Sequence, residues 1–71
     1  TGIKYDIAKE SFVKLTVYDL LGREVGVIIN EFKKAGRYTV KWNPENLPSG
    51  VYLYKLSAGE YEKIMKMVLI K

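Results

Sequence analysis

The chain has 71 residues, a formal net charge of +4, and neither cysteine nor histidine. That is room for one small domain. It excludes disulfides, a thiolate nucleophile and histidine acid–base or metal chemistry. Apolar residues make up 48%, with six Tyr, two Phe and one Trp, the balance of a folded chain rather than a disordered one.

Ile3, Tyr5 and Ile7 alternate with Lys4 and Asp6. Alternation of period two predicts a strand with one face on a core and one in water. "AKES" ends it. Val13, Leu15 and Val17 then alternate with Lys14, Thr16 and Tyr18 and predict a second strand. "DLLGRE" follows, with Gly22 in a tight turn. Val25 to Ile29, "VGVII", predicts a third strand in which Gly26 marks a bulge. "NEFKKAG" closes it.

Tyr38, Val40 and Trp42 alternate with Arg37, Thr39 and Lys41 and predict a fourth strand. In "NPEN", Asn43 as a cap and Pro44 at the first position predict one helical turn. In "NLPSGVYLY", Pro48 and a Gly50 with φ > 0 predict a tight turn into the fifth strand. "VYLYKL" and "IMKMVLI" are apolar on both faces. They predict central strands, or strands whose outer face is covered. "SAGEY" joins the two as a hairpin.

Six strands at this spacing predict an all-β sandwich or small barrel. The parity of the apolar residues predicts the core: Ile3, Tyr5, Ile7, Val13, Leu15, Val17, Val25, Tyr38, Val40, Trp42, Tyr52, Tyr54, Leu56 and several of Met65 to Ile70. Trp42 reads as a core plug. Tyr52 reads as a corner residue, with its ring inside and its hydroxyl turned back onto the loop upstream.

The carboxylates Asp6, Glu10, Asp19, Glu24, Glu31, Glu45, Glu60 and Glu62 lie mostly in predicted turns or beside lysine, where solvated charge is the default. Ser11, Ser49 and Ser57 have no histidine to activate them. The glycines form no phosphate-cradling motif, and no loop clusters Asp and Asn as calcium ligands. The reading is a non-catalytic domain without cofactor or metal. The basic residues are scattered, with none of the dense basic stripe that nucleic acid selects. Weak attraction to an anionic surface fits the charge.

"IKYDI", "VKLTVYDLLGREV", "AGRYTVKWNPENLPSGVYLYKLSAG" and "KMVLIK" follow one another in order. The set resembles the C-terminal sorting domain, type A, of the type IX secretion system, and is similar to the Ig-like domain of flagellar hook-capping proteins. The resemblance covers nearly the whole chain, 1–71, as one Ig-like Greek-key β-sandwich of six to seven antiparallel strands. It implies a domain at the C-terminus of a secreted protein, recognised by the outer-membrane translocon. A sortase then joins the cargo to anionic lipopolysaccharide or releases it, at the cell surface or in the medium.

The resemblance carries the family's Tyr-Asp…Gly element to Tyr18, Asp19 and Gly22. Its Pro-x-Gly-x-Tyr element falls on Pro48, Gly50 and Tyr52, and its terminal basic-apolar segment on Lys66 to Lys71. The Asn-Pro-rich segment that usually precedes the first strand is not in this sequence, so the chain from Thr1 reads as a piece of a longer protein. The alternative reading is a structural or self-assembling Ig-like module: a spacer, a filament subunit joined through an edge strand, or a carbohydrate-binding accessory domain.

Overall fold

The computed structural model describes residues 2–70. Six strands follow in order: β1 (Gly2–Ile7), β2 (Ser11–Tyr18), β3 (Glu24–Lys33), β4 (Gly36–Lys41), β5 (Gly50–Ala58) and β6 (Tyr61–Leu69). They form two antiparallel sheets, β1-β4 and β3-β2-β5-β6. This is the order of the B–E pair and the C′–C–F–G sheet of an immunoglobulin-type sandwich.

Alternation decides which face goes inside. Ile3, Tyr5 and Ile7 of β1 meet Val13, Leu15 and Val17 of β2, the last three with no exposed surface. Ile29, Tyr52, Leu56, Met67 and Leu69 complete the buried cluster. Val25, Tyr38, Val40, Trp42 and Tyr54, expected in the core, are half-buried and pack against it. Trp42 lies just past the end of β4 and meets Tyr52 edge-to-face, with centroids 6.0 Å apart. Tyr5 and Tyr38, opposite each other across the smaller sheet, stack at 5.3 Å.

β3 is longer than the expected strand: it continues through Glu31, Phe32 and Lys33, which pair with β2. Two bulges interrupt that pairing. Leu15 faces Ile29 and Thr16 faces Val27, which leaves Ile28 as an extra residue; Val17 faces Gly26 and Tyr18 faces Glu24, which leaves Val25 as another. The bulges lie on either side of Gly26, which itself pairs with Val17 rather than forming the extra residue. They let Val25, Ile28 and Ile29 all pack on the core, which strict alternation forbids.

Three expectations fail. "NPEN" forms bends, and no helix occurs among the described residues. The Asn43 and Pro44 signals are outweighed because the chain must cross from one sheet to the other between β4 and β5. Gly50 does not have positive φ, which is confined to Gly22, Gly36 and Gly59; Gly50 is already the first residue of β5, paired with Leu69. β6 is neither central nor covered. It is an edge strand with only Met67 and Leu69 buried. Ile64 and Val68, on its outer face, are 65% and 53% exposed. β5 is central as expected.

Candidate recognition surface

The sequence motifs converge because of strand register. β2 and β5 pair with Tyr18 opposite Leu53, and β5 and β6 pair with Leu53 opposite Lys66. On the other side Tyr18 faces Glu24 of β3. Directly opposed residues point to the same face of a sheet. Glu24, Tyr18, Leu53 and Lys66 therefore form one row across all four strands, on the face turned away from the core. Val51 and Val68 form the next pair along. The β2–β3 turn and the start of β5 lie at this same end. Thr16, one step inward from Tyr18, is the buried polar residue of this face.

The β2–β3 turn is built around Asp19. Its Oδ1 accepts from the backbone N–H groups of Leu21 and Arg23, both at 2.9 Å. Its Oδ2 accepts from the Arg23 Nε at 2.8 Å. Its own N–H donates to the Arg23 carbonyl at 2.9 Å, and its carbonyl accepts from the Gly22 N–H at 3.0 Å. Gly22 closes the turn at φ +86°, a conformation that costs side-chain-bearing residues free energy. The Arg23 backbone N–H does most to hold the Asp19 carboxyl below its ordinary value of 3.8, with the Arg23 guanidinium and the Leu21 N–H adding to it and partial burial opposing. The Asp19 side chain is 18% exposed.

Pro48 and Tyr52 form the expected corner. The Tyr52 hydroxyl donates to the Pro48 carbonyl at 2.7 Å, and its ring is buried. A second corner of the same form opens β4. The Tyr38 hydroxyl donates to the Lys34 carbonyl at 2.6 Å. The signal was present: Lys34-Ala35-Gly36-Arg37-Tyr38 and Pro48-Ser49-Gly50-Val51-Tyr52 share the spacing Gly-x-Tyr, with the acceptor two residues before the glycine.

The motif residues thus divide by what they touch. Asp19, Gly22, Pro48 and Tyr52 are engaged in turns and core. Gly50 begins β5 in extended conformation. Tyr18 is half-buried and Lys66 exposed, both in the outward row. Lys71 lies outside the described residues. Four carboxylates pair with surface cations: Asp19 with Arg23, Glu31 with Lys33, Asp6 with Arg37 and Glu62 with Lys55. A broad depression, lined by Ile7, Lys9, Ser11, Gly59 and Tyr61 among others, lies at the opposite end and includes none of the motif residues.

This is a small antiparallel β-sandwich whose motif residues build turns and an outward sheet face rather than a cleft. The secretion system C-terminal sorting domain family matches residues 2–71, and the chain belongs to that family. It is a C-terminal sorting signal for type IX secretion, which implies export to the cell surface or the extracellular space. Domains of this kind are generally non-catalytic. No curated protein and no solved structure matches the chain.

Proposed function

We propose that the type IX translocon reads this domain as a folded surface, at the end of the four-stranded sheet where Tyr18, Leu53 and Lys66 stand in one row. The observation that carries the reading is the register: residues far apart in sequence are neighbours only in the assembled sheet. Asp19, Gly22, Pro48, Gly50 and Tyr52 contribute by building that end. Lys71 joins the proposal through the sequence resemblance alone. A sortase acts on the same route, joining the cargo to anionic lipopolysaccharide or releasing it. The net charge of +4 suits passing contact with such an anionic surface.

The test is a fusion. The domain is placed behind a folded cargo that carries its own signal peptide, in a type IX-competent bacterium, and the cargo is located by fractionation. Wild type should bring cargo to the surface or medium. Lys66→Glu and Tyr18→Ala, checked for folding by circular dichroism, should leave more of it in the periplasm. Cargo that stays in the periplasm behind the wild-type domain would defeat the sorting role for this chain. Normal export by both folded variants would defeat the row as the surface that is read.

A second reading, self-association, is favoured by one observation: β6 ends the four-stranded sheet with its outer edge unpaired among the described residues. Lys63 and Lys66 on that strand oppose it, since edge lysines discourage strand-to-strand pairing. A monomer in sedimentation equilibrium at high micromolar concentration would exclude this reading.

A further inference from the structure

The β2–β3 turn displays two leucines. Leu20 is 66% and Leu21 80% exposed, at turn positions where Gly, Pro, Asn, Asp and Ser are the usual occupants. A single exposed leucine is ordinary. Two in succession on a turn held by five internal hydrogen bonds are different, because the backbone beneath them has little freedom left to lose on binding.

Arg23 adds polarity to the same turn. Its Nε is committed to Asp19, while the side chain is 74% exposed. With the Nε engaged and most of the side chain in solvent, the rest of the guanidinium fork can receive a carboxylate.

We infer that this turn is a preformed contact element for a protein partner: Leu20 and Leu21 enter an apolar cleft, and the outer edge of Arg23 meets a carboxylate on the rim of that cleft. The inference rests on the sorting role and names the chemistry of the surface that reads the domain. A bilayer is the less suitable host. Fluid lipid gains nothing from a turn held rigid, whereas a shaped cleft does. The Glu24 that opens β3, exposed beside Arg23, also disfavours an anionic membrane.

The experiment uses the same cargo fusion. Leu20→Ser with Leu21→Ser removes the apolar side chains and leaves the Asp19 turn. Leu20→Met with Leu21→Met keeps them apolar. Circular dichroism and thermal melting confirm folding of each. Export by the serine variant should fall roughly tenfold or more, the scale of truncating a central anchor, while the methionine variant stays near wild type. In trans, excess isolated wild-type domain should compete for export of the fusion, and the serine variant should not. Export of the folded serine variant at the wild-type level overturns the inference and leaves the sorting role standing. Failure of the wild-type fusion to be exported overturns both. Co-flotation of the wild-type domain, but not the serine variant, with phosphatidylglycerol–phosphatidylcholine vesicles assigns the leucines to a membrane and overturns the protein cleft.

Discussion

Tyr52 reaches back four residues and donates its hydroxyl to the Pro48 carbonyl at 2.7 Å. Tyr38 makes the same bond to Lys34 at 2.6 Å, so one device fixes the entrance of both β4 and β5. The two differ in surroundings. Tyr52 is buried and its bond partly so, whereas the Tyr38 bond is open to water.

That difference gives the first prediction. Tyr52→Phe should cost about 1 kcal/mol, and more if the Pro48 carbonyl is left without a partner. Tyr38→Phe should cost less, because water replaces the lost donor. Urea midpoints of the two variants measure this directly. Equal midpoints for Tyr52→Phe and wild type would mean that the corner bond does not stabilise the fold.

Glycine substitutions should separate two positions that look alike in sequence. Gly22 holds φ +86°, so Gly22→Ala should destabilise by roughly 1 kcal/mol or more. Gly50 has no positive φ, and a methyl placed there meets nothing within 4 Å. Gly50→Ala should therefore be close to neutral. Thermal melts of both variants decide it, and a larger loss at Gly50 than at Gly22 would contradict the backbone geometry.

Acid should loosen the β2–β3 turn. The folded state holds the Asp19 carboxyl below 3.8, so the unfolded chain binds that proton more readily. The stabilisation is fully present above the ordinary carboxylate value and is lost as pH falls through the depressed folded one. Wild-type stability should fall over this acid range with a component that Asp19→Ala lacks. Denaturant midpoints followed from about pH 6 to pH 2 would reveal parallel curves if the carboxylate contributes nothing.

The lysines of β6 should act as guards. Lys63→Val with Lys66→Val turns an edge strand that already exposes Ile64 and Val68 into an almost uninterrupted apolar template. The double variant should associate with rising concentration in sedimentation velocity runs. A variant that associates no more than wild type would show that the lysines do not restrain pairing at this edge.

Inward faces were easier to read than neighbours. Ile3-Tyr5-Ile7 and Val13-Leu15-Val17 spell their burial, because alternation is a local property. The Tyr52 corner was equally legible, since its acceptor lies four residues away. The position of β6 was not. "IMKMVLI" is apolar enough for a central strand, but which strands flank it depends on pairing with β5 and on the narrower β1-β4 sheet, neither of which is written locally. Gly50 misled for a related reason. Beside Pro48 it resembles a turn glycine, yet pairing with Leu69 draws it into extended backbone. The row of Tyr18 and Lys66 needed register across three strands, which only the assembled sheet supplies.

That row also sets an order in time. β2 cannot complete it with β3, its hairpin partner; it must wait for β5 and then β6, the last two described strands. Distant pairings of this kind close slowly, on the scale of milliseconds to seconds in comparable all-β domains. A chain that stops short of β6 has no Lys66 beside Leu53 and cannot display the row at all. The surface therefore reports that β6 has been made and has folded into place beside β5.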